Sequence, residues 1–209
     1  MKNYQKYPRQ TSIDLTKPCG NTAYAAARFN EIAGHEWLTE TGMVPHPDDQ
    51  LNMSVKPSIG GCMVWHNTDG SVFTAIVERH YTENGKPCII TSERHGKSSA
   101  YGLRHRRQGR GNWGMGSEWI YTGCLANPAC TLDPDDIPQD PVRFGQRGDA
   151  VVVLQFLLNL QGYDAPVDGW FGPHTRNALG IFQRDKGITI DHVCAGGTLR
   201  ELLRGVYIL

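Results

Sequence analysis

The sequence contains no long hydrophobic run. Nowhere do about 18 apolar residues follow one another, which is the length that a membrane-spanning helix needs. The first twenty residues also lack the apolar core of a secretory signal peptide. We therefore expect no membrane span, and we expect the protein to be cytoplasmic when it is synthesised.

A net charge is also missing. Lysine and arginine together number 21, and so do aspartate and glutamate. Because no global field attracts polyanions, neither nucleic acid nor anionic lipid is an expected partner. Residues 94–110 are rich in arginine, and we interpret them as a solvated loop that faces acidic polymers rather than as a nucleic-acid surface.

Metal-binding cysteine patterns are missing as well. The six cysteines form no C-x-x-C pair and do not alternate closely with histidine, so a structural zinc site is not expected. No metal and no cofactor is predicted. We predict buried free thiols, and a disulfide between Cys124 and Cys130 is the less favoured alternative in a reducing cytoplasm.

What the sequence does have is turn residues and short strands. Its 24 glycines and 12 prolines are typical of a loop-rich protein that contains a sheet. A helix is predicted over residues 22–33, and Asp69-Gly70 is a strong hairpin signal between two of the strands that follow. The predicted strands cover residues 61–67, 72–81 and 87–93. This order predicts an α+β fold in which one helix packs on an antiparallel sheet.

A second region follows a segment rich in proline and aspartate. Residues 130–141 lack apolar periodicity, and we interpret them as a linker. After it, apolar residues recur at helical spacing over 151–158 and 178–182, and a shorter helix is expected over 198–203. We therefore predict a small three-helix domain at 142–209. No internal repeat is apparent in the sequence.

Three strings in this second region match a known family. They read GQRGDAVVVLQ at 145–155, GYDAPVDGWFGPHT at 162–175 and ALGIFQ at 178–183. On these strings the region closely resembles the peptidoglycan-binding domain family, a three-helix module that is often fused to cell-wall hydrolases. The resemblance implies peptidoglycan or a muropeptide as the partner.

Four residues of the second string are the candidate ligand contacts of this module: Asp168, Gly169, Phe171 and Thr175. Each also has a structural interpretation. Asp168 and Thr175 are suited to capping the following helix. Gly169 permits a tight turn, and Phe171 is suited to filling the space between the helices. The segment DHVCAGGT at 191–198 departs from the family pattern.

Five blocks of the first region match a second family in order. They are TAYAAARFNEIAG at 22–34, PSIGGCMVW at 57–65, AIVE at 75–78, TSE at 91–93 and GNWGMGSEWIYTGCLANP at 111–128. Residues 17–129 resemble the CHAP family, papain-like N-acetylmuramoyl-L-alanine amidases and endopeptidases found in phage endolysins of Gram-positive hosts. Residues 1–16 are then an N-terminal extension. The resemblance implies a papain-like fold and the peptidoglycan of a Gram-positive host as the polymer recognised.

Two catalytic positions of that family are substituted in this sequence. The resemblance places the nucleophilic cysteine at Asn21, the histidine at Phe73 and the orienting acid at Glu93. An amide cannot replace a thiolate and a phenyl ring cannot accept a proton, so the ordinary chemistry is not expected. Cys19 lies two residues before the nucleophile position, and His95 is the best substitute base. The string CGNTA matches a different papain-like pattern and also favours Cys19 as a nucleophile.

Three hypotheses for function therefore stay open. The first is a wall-binding pseudoenzyme with a degenerate CHAP domain, which acts at the cell wall after release from the cell. The second is an active amidase or endopeptidase that uses Cys19, His95 and Glu93. The third is a phage structural or assembly component with wall affinity. Trp113 is a candidate for stacking on sugars, although large aromatic side chains more often belong to a core.

Overall fold

The chain forms two compact units. A computed structural model describes residues 4–8, 20–39, 42–45, 51–94, 101–107 and 111–209. The first unit, which we call the sheet unit, consists of Pro8–Cys130, and the second, the helical unit, consists of Thr131–Leu209 together with residues 4–7. No helix in the described ranges has the length and apolarity that crossing a membrane requires.

In its described residues, the sheet unit contains one α-helix ahead of an antiparallel sheet. Its elements are α1 (Asn21–Ala33), β1 (Leu38–Thr39), β2 (Gly42–Pro45), β3 (Met53–Ser54), β4 (Cys62–Asn67), β5 (Val72–Glu83), β6 (Lys86–Arg94), β7 (Tyr101–Arg107) and β8 (Trp119–Leu125). Over the described residues, six strands form the main sheet in the order β3-β8-β4-β5-β6-β7, and β1 pairs separately with β2. The predicted α+β class, with a helix followed by the β4-β5-β6 meander, is confirmed.

The hairpin between β4 and β5 forms where the sequence predicts it. The Ser71 amide and hydroxyl both donate to Asp69 Oδ1, at 2.8 and 2.6 Å. Gly70 adopts a left-handed φ of 84°, which a residue with a side chain rarely adopts. The resulting register places Trp65 directly opposite Phe73.

The two faces of the sheet have different neighbours. Thr74 and Glu78 face α1, where Arg28 donates from Nε and Nη2 to the two Glu78 carboxylate oxygens at 2.9 Å each. The alternate residues of β5 point to the opposite face. On that face a buried cluster forms from Met63, Trp65, Ala75, Val77, Ile89 and Cys124. Phe73 and Trp113 pack against this cluster.

In its described residues, the helical unit contains three α-helices and a two-stranded parallel pair. Its elements are β9 (Thr131–Leu132), α2 (Asp149–Leu160), α3 (Pro173–Asp185), α4 (Gly196–Leu202) and β10 (Tyr207–Ile208). The three predicted helices are confirmed. Pro173 begins α3, where its missing N–H is not needed by the helix. Leu154, Leu158 and Phe182 are fully buried between the helices.

The sequence suggests residues 130–141 as a linker, and all of them except Cys130 lie within the helical unit. They contain β9 and a 3-10 helix at Pro134–Asp136. Tyr4 packs on the same unit: its hydroxyl donates to Asp136 Oδ2 at 2.7 Å, and its ring centroid lies 4.5 Å from that of Phe156. Most of residues 1–16 lie outside the described residues.

The arginine-rich stretch differs from the expected solvated loop. Part of it forms β7, and Arg94 and Arg106 are buried at 1% and 2% exposure. The expectation is therefore wrong for these two residues. Burial of the Arg106 guanidinium is tolerated because it meets a buried carboxylate, described below.

The predicted free thiols are confirmed for the cysteines that the structure describes. These are Cys62, Cys88, Cys124, Cys130 and Cys194, and all are buried. No disulfide joins Cys124 to Cys130. Burial raises the pKa of Cys124 to about 11 and that of Cys194 to about 12, which keeps both thiols protonated near neutral pH.

Candidate functional site

Asn21 is the first residue of α1, at the position where the family resemblance expects a nucleophile. Its Oδ1 accepts hydrogen bonds from the Thr74 amide at 2.7 Å and from the Thr74 hydroxyl at 2.9 Å. Its Nδ2 donates to the Arg94 carbonyl at 3.0 Å. Both ends of the amide group therefore bind the sheet, and the side chain ties the start of α1 to β5 and β6.

Phe73, at the position expected for the histidine, belongs to an aromatic cluster. Its ring centroid lies 5.9 Å from those of both Trp65 and Trp119, in edge-to-face arrangements. The guanidinium carbon of Arg106 lies 6.0 Å from the same ring. The position is thus surrounded by aromatic rings and a cation, and it supplies no proton acceptor.

Glu93, at the position expected for the orienting acid, is buried at 1% exposure and is held by two arginines. Arg104 Nε lies 2.7 Å from Glu93 Oε1, and Arg106 Nη2 donates to Glu93 Oε2. Arg106 also donates to the Thr91 hydroxyl at 3.0 Å and stacks 4.7 Å above the Trp65 ring. Burial lowers the pKa of Arg106, while the neighbouring carboxylate opposes that shift.

The structure brings Phe73 and Glu93 to one residue, Arg106, while Asn21 contacts their chain neighbours. Asn21 contacts Thr74 and Arg94, which are the chain neighbours of Phe73 and Glu93. Arg106 contacts both Phe73 and Glu93. Sequence reasoning missed Arg106, because no local pattern distinguishes it from the other arginines of residues 94–110.

Cys19 and His95, the alternative nucleophile and base, lie outside the described residues. The structure therefore leaves their catalytic use a prediction. Among the residues that it describes, no group of three or more histidine, cysteine, aspartate or glutamate side chains is placed to hold a metal ion.

Trp113 packs against the core cluster of the sheet unit and is partly buried. It follows Asn112, and both residues have left-handed backbones with φ of 57° and 56°. Two side chains hold this turn: Trp65 Nε1 donates to the Asn112 carbonyl at 2.9 Å, and Arg106 Nη1 donates to the Trp113 carbonyl at 3.1 Å. Arg106 therefore holds two groups at once, the Glu93 carboxylate and the turn at Asn112 and Trp113.

In the helical unit, the buried Gln155 connects α2 to the turn before α3. Its Nε2 donates to Asp168 Oδ1 at 2.8 Å, to the Thr175 hydroxyl at 2.9 Å and to the Trp170 carbonyl at 3.0 Å. Its Oε1 accepts from the amides of Asp168 and Gly169, at 3.0 and 2.9 Å. One side chain therefore organises most of the polar groups of the turn.

The candidate contacts of this turn all have structural roles. Asp168 and Thr175 do not cap α3, because its N-cap is Gly172 with no side-chain hydrogen bond. Hydrogen bonds from the Trp170 amide and from the Gln155 side chain lower the pKa of Asp168. Phe171 and Thr175 are fully buried. Gly169, with a φ of 72°, also lies in the turn.

The same arrangement recurs around Gln183 in α3. Its Nε2 donates to Asp191 Oδ1 at 2.7 Å and to the Thr198 hydroxyl at 3.1 Å, and its Oε1 accepts from the His192 amide at 2.9 Å. The expectation of no internal repeat is therefore wrong. The sequence does carry a sign of the repeat. Twice, a glutamine in a helix is followed by an aspartate and then, seven residues after that aspartate, by a threonine.

His192 takes the place of Gly169 in this second copy. It keeps the left-handed backbone, with a φ of 57°. Its ring lies against α3, with Nδ1 3.1 Å from the Arg176 carbonyl. A Cβ added to Gly180 would come within 2.5 Å of the ring. The departure from the family pattern at 191–198 therefore keeps the turn and adds a ring packed on the helix.

Exposed aromatic side chains beside the first turn are paired with arginines. Trp170 is 39% exposed, and the guanidinium carbon of Arg147 lies 5.1 Å from its ring centroid. Phe144 is 54% exposed, and the guanidinium carbon of Arg176 lies 5.7 Å from its ring centroid. We call these four residues the aromatic–arginine surface. Sequence reasoning passed over all four because it followed the family motif, whose residues build the turn.

Comparisons with known proteins concern mainly the helical unit. Residues 147–201 match the peptidoglycan binding domain family. A stretch of 56 residues, 26% of this chain, is 46% identical to the N-acetylmuramoyl-L-alanine amidase CwlM of Mycobacterium tuberculosis. The match spans 14% of that relative's length.

Two solved structures also resemble parts of the chain. One is the N-terminal domain of SleB, which is 32% identical with a TM-score of 0.31 and is matched over 32% of this chain and 94% of that one. The other is a periplasmic domain of the EpsAB fusion protein of the Vibrio vulnificus type II secretion system, 14% identical with a TM-score of 0.34 over 93% and 83% of the two chains. At these TM-scores neither supports an argument. The conclusion rests on the family match: the chain carries a peptidoglycan-binding domain at residues 147–201.

Proposed function

We propose that this protein binds the peptidoglycan of a bacterial cell wall through its helical unit and does not cut it. In this proposal the sheet unit is a degenerate papain-like CHAP domain, and the whole protein is endolysin-like, directed at the wall of a Gram-positive host. The observation that carries the binding function is the family match at residues 147–201.

The aromatic–arginine surface supports wall binding. Exposed aromatic rings stack on the apolar faces of sugars, and arginine donates to carboxylates and to sugar or peptide carbonyl groups. Trp170 and Phe144 are large apolar side chains that the fold leaves exposed although they are next to the buried turn. Their place beside the matched family motif makes this surface the best candidate for contact with the polymer.

The contacts of Asn21, Phe73 and Glu93 support the absence of hydrolysis. The amide of Asn21 is bound at both ends, the ring of Phe73 is packed among aromatic side chains, and the carboxylate of Glu93 is held by two arginines. Papain-like hydrolysis needs a thiolate, a base and a group that orients the base. In this arrangement none of the three positions performs its role.

An active enzyme that uses Cys19, His95 and Glu93 is the competing proposal. It requires Glu93 to orient an imidazole, yet both of its oxygens already bind guanidinium groups. It also predicts that iodoacetamide alkylates Cys19 well below the pH at which an ordinary thiol reacts. We expect slow labelling of Cys19 with the pH dependence of a free thiol.

Sedimentation with purified cell walls tests the binding function. We expect the full chain to pellet with the walls and Trp170→Ala to weaken this binding about tenfold, since a central aromatic contact is commonly worth that much. Ile190, which is 52% exposed in the same unit, provides the matched control, and Ile190→Ala is expected to bind normally. Equal loss in both variants, or no pelleting of the parent chain, would refute the proposed surface.

A further inference from the structure

A groove on the helical unit lies next to the aromatic–arginine surface. Its volume is about 280 Å³, near the lower limit for sites that hold small ligands. The residues that line it include Asp140, Pro141, Val142, Gln146, Arg147 and Val151. Val142 and Val151 are buried and form its apolar floor, while Asp140 and Arg147 are exposed. We call it the charged groove.

The two charged residues of the groove have opposite signs, and Arg147 also helps to lower the pKa of the neighbouring Asp168. Within the described part of the chain, neither Asp140 nor Arg147 forms an ion pair with another residue. Arg147 is held in place by its backbone bridge to Trp170 and by stacking on that ring. A pre-positioned guanidinium and a carboxylate above an apolar floor fit a short peptide with both a carboxylate and an amine.

Continuity with Trp170 narrows the class of ligand. Arg147 belongs to both the charged groove and the aromatic–arginine surface. A polymer bound in the groove would therefore continue onto the surface around Trp170. In peptidoglycan, each sugar chain carries short peptides that contain alanine methyl groups, free carboxylates and the side-chain amine of a diamino acid. The chemistry of this polymer therefore matches the two neighbouring surfaces.

We propose that the charged groove binds the stem peptide of peptidoglycan while Trp170 contacts the attached sugar. Arg147 binds a free carboxylate of the stem, Asp140 binds the side-chain ammonium of its diamino acid, and Val142 and Val151 contact an alanine methyl group. This inference rests on the proposed wall binding and adds which part of the polymer the groove recognises.

Calorimetric titration of the full chain with a synthetic stem tetrapeptide tests the groove. The probe is acetylated at its amino terminus, carries isoglutamine second and lysine third, and ends in D-alanine, so it has one carboxylate and one ammonium. Amidating the carboxylate or acetylating the lysine is expected to weaken binding about tenfold each, the usual effect of losing one charge-assisted hydrogen bond. These modified peptides test the proposal without altering the protein.

Variants assign each charge to its partner. With Arg147→Gln the free and amidated peptides should bind equally, and with Asp140→Asn the free and lysine-acetylated peptides should bind equally. Asp149→Asn, an exposed change at the start of α2 outside the groove, should preserve both preferences. If the chain pellets with walls yet shows no binding of the tetrapeptide, or no preference for its charges, the groove proposal is wrong and wall binding stands. If the chain does not pellet with walls, the proposed function itself fails.

Discussion

Glu93 forms ion pairs with two arginines that differ greatly in exposure. The Arg106 side chain is 1% exposed and that of Arg104 is 49% exposed. Removing one partner of a buried pair leaves an uncompensated charge in a medium of low polarity, whereas an exposed partner is replaced by water. The same carboxylate therefore provides a matched comparison of a buried and an exposed ion pair.

Arg106→Met is predicted to lower the free energy of unfolding by ~3 kcal/mol or more, because it removes the buried guanidinium that donates to Glu93 and to the Trp113 carbonyl. Arg104→Ala is predicted to change it by less than ~1 kcal/mol. Urea denaturation of the full chain, followed by tryptophan fluorescence, measures both. Similar losses in the two variants would contradict the assignment of Arg106 as the buried partner.

At the residue scale, the sequence predicted which residues occupy the three catalytic positions but not which side chains contact them. Matching the chain to a family motif identified Asn21, Phe73 and Glu93, and the structure places their contacts in one region. Arg106 was not predicted because burial of an arginine depends on a carboxylate from another strand. Such long-range pairing leaves no local pattern in the sequence.

Each of the two polar turns of the helical unit depends on one glutamine. Gln155→Glu keeps the size of the side chain but replaces its donor group with a carboxylate that faces Asp168. We predict a loss of ~3 kcal/mol in unfolding free energy near neutral pH, because a carboxylate at the buried position of Gln155 then meets the exposed carboxylate of Asp168. This repulsion raises the folded-state pKa of one of them above its unfolded value.

The pH dependence of the stability of Gln155→Glu tests directly whether the carboxyl pKa is raised in the folded state. A raised pKa in the folded state makes the variant recover stability as the pH falls toward about 4, where the unfolded carboxylates also take up protons. Thermal unfolding between neutral and acidic pH measures this, with Gln139→Glu, an exposed change, as the control. A deficit that does not shrink at low pH argues against close contact of the two carboxylates.

Two glycines in helices are predicted to respond oppositely to alanine. At Gly197 a Cβ meets nothing within 4 Å, and Gly197→Ala should raise the unfolding free energy by ~0.5 kcal/mol. At Gly180 a Cβ would come within 2.5 Å of the His192 ring, and Gly180→Ala should lower it by ~1 kcal/mol or more. Adding His192→Gly to Gly180→Ala should restore part of the loss. Denaturant titrations give all three values, and equal signs for the two alanine variants would exclude the ring contact.

At the element scale, helices and strands with regular apolar spacing were predictable, and the internal repeat was not. The two copies differ in the length between glutamine and aspartate, which is thirteen residues after Gln155 and eight after Gln183. They also differ where Gly169 is replaced by His192. The glutamine, aspartate and threonine are the same in both copies, but this difference in spacing hides the repeat from a search for a fixed period.

The whole molecule combines two units. One carries a peptidoglycan-binding domain, and in the other the side chains at the candidate catalytic positions are held by contacts with neighbouring residues. In the proposed function, binding belongs to the exposed surface of the helical unit, while cutting would require chemistry in the sheet unit. The two functions can therefore be measured separately on one chain. Our central claim is that this protein binds peptidoglycan without hydrolysing it.

The most direct test is incubation of the full chain with purified Gram-positive cell walls, followed by sedimentation and by chromatography of the soluble fraction. We predict that the protein pellets with the walls and that no soluble muropeptides or new amino groups are released above the level of a protein-free control. Release that disappears in Cys19→Ala would contradict the account, because it would show that a relocated thiol cuts the polymer.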